Sequence, residues 1–179
     1  YKYVLDRGFL VFNDAGEPTR MIVAMQDITK QKKEEQRLKL LETVITNTKD
    51  AVLITLANKN EGEAPNIVFV NEAFTIMSGF GFDEVVGNSQ QMFFGEKSAE
   101  SEIRKYYDSL ANKRACEIEI ISYRKNGDPY WVQFSMVPVF NSENEHTHWI
   151  SIQRDVTERK RQEKEKEQLI NELTQNNRD

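Results

Sequence analysis

Few residues in this sequence carry side chains suited to covalent or acid–base chemistry, and their spacing restricts what they can do. The single cysteine, Cys116, opens a strand-like run and reads as an inert, half-buried thiol. The two histidines, His146 and His148, fall near a polar turn and read as solvent-exposed, with no cysteine or carboxylate cluster at metal-ligand spacing beside them. Glu117 and Glu119 are paired carboxylates, which as catalysts would need a cleft and shifted pKa values. Their alternation with Ile118 and Ile120 instead turns both toward water. No nucleophile–base pair and no glycine-rich phosphate loop stands out, so no catalytic activity is expected of this chain; a kinase or other activity would lie outside it. What does stand out is Asp155-x-Thr157, where a strand-like run gives way to a charged helix. Asp and Thr accept hydrogen bonds from the free N–H groups of a helix start. That would clamp the helix to the strand before it and pass any shift of the sheet into the helix.

The same element occurs earlier as Asp27-x-Thr29, because the sequence repeats itself at a fixed offset. Val11 matches Val139, and Phe12/Phe140, Asn13/Asn141, Glu17/Glu145, Thr19/Thr147, Ile22/Ile150, Asp27/Asp155, Thr29/Thr157, Lys32/Lys160 and Glu35/Glu163 follow in step. A fixed period of this kind indicates tandem modules. Residues 1–29 are expected to be the tail of a preceding module, and the chain a slice of a longer protein.

Around these positions the hydrophobic pattern lays out the elements. Two apolar runs flank the polar turn Asn13 to Pro18 and predict a hairpin. From Lys30 to residue 48 the chain is charged, with Leu38, Leu41 and Ile45 at helical spacing, which predicts a helical linker. Ala51–Leu56 and Asn66–Val70 predict two strands separated by a polar loop at Ala57–Pro65. Asn71 is placed as the N-cap of a short helix over 72–78 that Gly79 stops. Gly81, Asp83 and Glu84 start another brief helix ending at Gly87, and Ser98 opens a longer one carrying Ile103, Tyr106, Tyr107 and Leu110 on one face. Three strands follow in antiparallel succession, the first two joined at Asn126-Gly127. After Thr157 a second charged helix carries Leu169, Ile170 and Leu173.

The chain has 179 residues, a net charge of −5 and a single cysteine. One well-sized core is within reach at this length. The negative balance argues against nucleic acid as a partner. One cysteine allows no intrachain disulfide and fits a reducing, cytoplasmic compartment. No run approaches the roughly 20 apolar residues that cross a bilayer, although a parent protein could still be membrane-attached.

The order of these elements, and the residues that carry them, resembles the PAS family of sensor domains. The matching stretches are Ile67-Val68-Phe69-Val70-Asn71-Glu72-Ala73-Phe74, Met77-Ser78-Gly79-Phe80, Glu84-Val85-Val86-Gly87, Tyr123 through Trp131, and Gln153-Arg154-Asp155-Val156-Thr157-Glu158-Arg159. The resemblance implies an α+β fold in which a five-stranded antiparallel sheet, with short helices on one face, encloses a pocket and is flanked by N- and C-terminal linker helices. It divides the chain into C-terminal strands of a preceding PAS domain (1–29), a helical linker (30–48), a complete PAS domain (49–157) and the start of a coiled-coil output linker (158–179). The charged tail through Asn177 resembles the lead-in to the dimerisation helices of bacterial sensor histidine kinases.

Within the family, the flavin-binding light sensors called LOV domains allow a comparison residue by residue. Their photoreactive cysteine matches Gln90 here, and the adjacent arginine matches Gln91. The polar groups around the flavin ring match Ser89, Phe94, Ser122, Val132 and Gln153, of which Gln153 alone keeps the family's side chain. An adduct needs a thiol, and each lost hydrogen-bond partner costs about 1–3 kcal/mol, so no flavin is expected. Haem would need an axial histidine on the long helix, which is absent, so neither haem nor another metal is expected.

Strand alternation places Val132, Phe134, Met136, Trp149, Ser151 and Gln153 on one face and Gln133, Ser135, Ile150 and Ile152 on the other. The resemblance turns the first set, with Ser122, toward a pocket opposite Ile103, Tyr106, Tyr107 and Leu110. These side chains either fill a core or hold a small metabolite through Ser122, Ser151 and Gln153. Ile150, Ile152 and Ile121 form an outer apolar stripe expected to meet a linker helix or a second subunit. The functional expectation is a sensory or relay module of a cytoplasmic multi-domain signalling protein, a histidine kinase by resemblance, working as a homodimer through its linker helices. Gln153, Asp155 and Thr157 would couple the signal to upstream and downstream domains. A chromophore- or ligand-dependent sensor and a structural dimerisation spacer are the alternatives.

Overall fold

The computed structural model describes residues 1–57 and 64–176; the centre of the expected polar loop and the end of the second linker, from Asn177 on, lie outside the described residues. The chain divides into two units, Tyr1–Ile45 and Thr46–Asp179. In the first, strands β1 (Val4–Phe12) and β2 (Pro18–Asp27) pair antiparallel, and helix α1 (Thr29–Asn47) begins two residues later. All residues of both strands are exposed, and α1 buries none of its side chains.

In the second unit, β3 (Ala51–Leu56), β4 (Ile67–Val70), β5 (Cys116–Tyr123), β6 (Pro129–Phe140) and β7 (His146–Asp155) form one antiparallel sheet in the order β4-β3-β7-β6-β5. Between β4 and β5 lie α2 (Glu72–Ser78), α3 (Phe82–Val85), a 3₁₀ turn (Gln90–Phe93) and α4 (Glu100–Asn112); α5 (Thr157–Asn176) follows β7. This is the α+β architecture expected from the sequence. The alternation read in β5 is real: Cys116, Ile118, Ile120 and Ser122 are buried, while Glu117 lies on the exposed face. Two groups of buried side chains share the inner face of the sheet. One gathers Tyr106, Ile118, Ile120, Val132, Phe134, Met136 and Trp149 under α4, and the other gathers Leu53, Ile67, Phe74, Val85 and Phe93 under α2 and α3.

Asn71 ties the start of the sheet to α2. Its Oδ1 accepts the Phe74 amide at 3.0 Å as a helix cap and the Val52 amide at 2.9 Å, and its Nδ2 donates to the Asp50 carbonyl at 3.0 Å. Gly79 ends the helix at φ 79°, a left-handed conformation that suits glycine, with its amide on the Thr75 carbonyl.

Three sequence expectations change. Ser98 does not open α4, which is capped at Ala99; it is buried, accepts the Gly95 amide and donates to the Ile121 carbonyl at 2.5 Å, pinning the loop before α4 to β5. The histidines are not exposed turn residues: both lie in β7 and are partly buried, and the His146 ring stands edge-on to Trp149 at 4.6 Å. Glu119 does not simply face water, because two cations of α5 hold it.

Asn71→Ala removes the α2 cap and leaves the buried Val52 amide without its acceptor. We expect a loss of roughly 2–4 kcal/mol in urea unfolding, with Asn71→Asp retaining more stability than Asn71→Ala because its oxygen can still accept both amides.

Candidate functional site

The chemistry-bearing residues converge where β7 ends and α5 begins. In register, Val132 of β6 faces Asp155, so Trp131 lies beyond the last pair and its backbone groups would lack a strand partner. The start of α5 supplies one. The Val156 amide donates to the Trp131 carbonyl at 2.9 Å, and the Trp131 amide donates to Thr157 Oγ1 at 2.9 Å. Asp155 Oδ1 accepts the Thr157 amide at 2.9 Å. The Asp-x-Thr element therefore clamps the helix to β6 as well as to β7, a point the sequence reading did not anticipate.

A second layer surrounds the clamp. Arg124, from the β5–β6 hairpin, pairs with Asp155 Oδ2 at 2.5 Å, donates to the Met77 carbonyl of α2, and lies over the Tyr130 ring with its guanidinium carbon 4.0 Å from the centroid. On the other side Glu119 of β5 holds Lys160 at 2.5 Å and Arg159, and Lys160 lies 5.3 Å from the Trp131 ring centroid. Burial pushes the Asp155 carboxyl up, but the Thr157 hydroxyl and amide and the Arg124 guanidinium outweigh it, and the net shift is below the ordinary value of 3.8. Lys160 and Arg159 lower Glu119 in the same way. Burial pushes the Tyr130 hydroxyl up to about 12.

The strand opening the sheet reaches the same place. Asp50, just before β3, accepts Arg154 Nε at 2.9 Å and its terminal nitrogen at 2.6 Å, a two-point pairing of the kind guanidinium geometry favours. Asp50, Ile76, Met77, Arg124, Gln153 and Asp155 line one surface groove, so the incoming segment, α2 and the outgoing joint share a wall.

Inside the sheet, Val132, Phe134, Met136, Trp149, Ser151, Gln153, Ser122 and Tyr106 are all buried on one side, with Ile103, Tyr107 and Leu110 of α4 partly buried against them. The structure thus brings the anticipated pocket residues together, as a packed interior. Gln90 enters this interior at 1% exposure and donates from Nε2 to Ser151 Oγ at 3.2 Å. Its Oε1, Thr55 Oγ1 and Tyr106 Oη are buried without a hydrogen-bond partner among the described residues. Of the other positions compared with flavin sensors, Ser89 accepts the Gln91 amide, Gln91 donates to the Tyr107 hydroxyl, and Phe94 stands edge-on to Tyr106. Cys116 is buried, and burial pushes its thiol pKa up, the opposite of a reactive thiol. Among the described residues no group of three or more His, Cys, Asp or Glu is placed to hold a metal ion, and no helix is long and apolar enough to cross a membrane.

Sequence reasoning missed Arg124, Glu119, Lys160, Asp50 and Arg154. Arg124 and Arg154 stood inside the quoted motifs, but their partners are distant in sequence.

Comparison with known proteins agrees with this architecture. The model of a PAS domain family matches residues 49–158. The chain is 26% identical over 106 residues to a bacterioopsin transcriptional activator of Halobacterium salinarum, covering 59% of this chain and 16% of that protein. It is 32% identical over 91 residues to a blue-light-activated histidine kinase of Brucella anthropi, covering 51% and 18%. Similarity to protein TWIN LOV 1 of Arabidopsis thaliana is 29% over 99 residues, covering 55% and 25%. The chain therefore matches a quarter or less of the length of these relatives. A solved structure described as an RNA-binding light-oxygen-voltage receptor superposes with a TM-score of 0.69 at 20% identity, over 98% of this chain and 45% of that one, a likeness of fold. The family match covers most of the chain, and the sheet order and helices follow it: this protein belongs to the PAS domain family.

Proposed function

We propose that residues 49–157 act as a relay module of a multi-domain signalling protein, in which a displacement of the inner sheet reaches α5 through Gln153, Asp155 and Thr157. The observation that carries this reading is the joint itself. A helix start hydrogen-bonded to β6 and ion-paired to the β5–β6 hairpin and β5 cannot keep its geometry if those strands slide. Shifts at such packed joints are passed on as discrete rearrangements. No catalytic domain is evident in the chain, and enzymatic output belongs to another part of the parent. A histidine kinase is the output we favour, since a relative of that name shares the module.

Dimerisation through the linker helices is supported by their apolar residues. Leu38 and Leu41 of α1, and Leu169, Ile170 and Leu173 of α5, are exposed at helical spacing. Ile152 is 47% exposed on the outer sheet face, with Ile150 and Ile121 partly exposed beside it, which suits a helix or a second subunit docking there. A single cysteine and the lack of a membrane-crossing helix among the described residues are compatible with the cytoplasmic placement we favour.

The residues present do not fit flavin adduct chemistry. The position of the reactive thiol is occupied by Gln90, whose Nε2 donates to Ser151, and Cys116 is on β5 with a raised pKa. A second reading has its own support. Buried polar atoms are rarely left unpaired, and Gln90 Oε1, Thr55 Oγ1 and Tyr106 Oη are three such atoms among the described residues. A small polar ligand that reached one or more of them could supply the missing hydrogen bond and make the module a sensor. Native mass spectrometry separates the two: mass lost on denaturation supports the sensor, and a bare chain supports the relay.

Asp155→Ala should abolish regulation of the parent's output while the sheet, followed by near-ultraviolet circular dichroism, stays intact; unchanged regulation would refute the coupling role. The pH response follows from the depressed pKa of Asp155. The joint's stabilisation is present above the unfolded value near 3.8 and is lost as pH falls through the lower folded value. The NMR shift of the Trp131 amide proton, which is bonded to Thr157 Oγ1, should therefore hold constant from neutral pH down to about 4 and change below it, and in Asp155→Asn this acid step should shrink.

A further inference from the structure

The β1–β2 ribbon reproduces the β6–β7 hairpin bond for bond. Its pairs Val4↔Asp27, Phe9↔Ile22 and Phe12↔Pro18 correspond to Val132↔Asp155, Val137↔Ile150 and Phe140↔His146, and the register slips at the same place, after Val11 and after Val139. At the turn, Asn13 Oδ1 accepts the Glu17 amide at 2.8 Å, as Asn141 Oδ1 accepts that of Glu145 at 2.9 Å. At the open end the clamp recurs. Asp27 Oδ1 accepts the Thr29 amide at 2.9 Å, Thr29 Oγ1 accepts the Tyr3 amide at 2.9 Å, and the Ile28 amide donates to the Tyr3 carbonyl at 3.0 Å. A turn alone would explain a hairpin. It would not explain a shared bulge together with a shared strand-to-helix clamp.

The surroundings differ. Both edges of β6–β7 are covered, by β5 on one side and β3 on the other, and one face is buried. Among the described residues neither edge of β1–β2 is paired, and the ribbon leaves Phe9 63% and Met25 73% exposed. An isolated two-stranded ribbon is marginal in water, and open apolar edges invite pairing. The equivalent hairpin shows what such edges and such a face accept.

We propose that β1–β2 is the closing hairpin of a second domain of the same fold, and that its surface is covered by the earlier part of that domain, contributed by the parent chain ahead of residue 1. A strand of β5 type lies antiparallel on the open edge of β1, and one of β3 type on the open edge of β2. Helices cover the face that carries Val4, Met21, Val23 and Met25, the counterparts of Val132, Trp149, Ser151 and Gln153. The clamp at Asp27 and Thr29 is then a second coupling joint, and α1 is at once the outgoing helix of one domain and the incoming helix of the next. A second copy of this ribbon is a poorer occupant, because it brings strands of β6 and β7 type to edges that in the complete domain take β3 and β5.

Hydrogen exchange on the chain 1–179, and on the same chain carrying the parent's preceding sequence over one repeat, tests this. In the longer chain the amides of β1 and β2 should exchange about a hundredfold more slowly or better. Val23→Glu, on the covered face, should reverse most of that protection, whereas Ala24→Glu, on the opposite face, should leave it; unchanged exchange of the β6 and β7 amides reports that the domain of residues 49–157 stays folded in both. Equal exchange in the two chains would overturn the proposal. So would protection in the 1–179 chain that disappears on dilution, which would make a second copy the occupant.

Discussion

Trp131 presents one amide and one carbonyl just past the point where β7 stops pairing with β6, and the rest of the functional architecture depends on how those two groups are satisfied. A backbone pair left open beside a buried sheet costs about 1–3 kcal/mol per group. The chain meets that demand by turning at Val156 into a helix, so that Val156 and Thr157 serve as the missing strand partner. Helix and sheet are therefore one hydrogen-bonded object at this point. Asp155 orients the Thr157 amide, Arg124 holds Asp155, and Glu119 gathers the cations one turn into α5. Exposed ion pairs contribute little stability singly, and their value here is positional: each links α5 to a different part of the domain.

In the proposed relay, that geometry offers two routes for a signal. From inside, Gln90 bonds Ser151, and Ser151 stands two residues before Gln153 and four before Asp155 on the same strand. A change of packing in the interior therefore acts on the strand that ends in the clamp. From outside, the segment leading into β3 grips Arg154 through Asp50, next to the clamp itself, and Asn71 fixes that segment to α2, whose last turn Arg124 touches. Incoming chain, interior and outgoing helix are thus within a few bonds of one another.

Much of this was legible in the sequence, and the limits have physical causes. Strict alternation in β5, the Asn71 cap and the Gly79 stop are local, since the residues that make them are neighbours in the chain; the structure has them as read. The two faces of β6 and β7 followed from period, and the family resemblance said which of them was the inner one. Ser98 was misplaced because a serine ahead of a helical run is an N-cap by local rule, and the competing partner, the Ile121 carbonyl, is 23 residues away. The histidines read locally as turn residues, because the ring of Trp149 that shields His146 comes from the register of the strand, not from the turn. Arg124 and Arg154 have no local role, and Glu119 reads as water-facing, for the same reason: a surface charge acquires a role only when the fold brings it a partner, 31, 104 and 40 residues off in these cases.

The central claim is that the interior and the helix joint move together. Amide exchange at Val156, Thr157 and Lys160, compared between the native chain and Gln90→Leu, tests it most directly, because the substitution removes the bond to Ser151 without touching the joint. The account predicts that these three amides change their exchange rates by severalfold or more, while amides of β5 remote from Gln90 keep theirs. Joint amides that exchange alike in both proteins, with the rest of the sheet undisturbed, would contradict it.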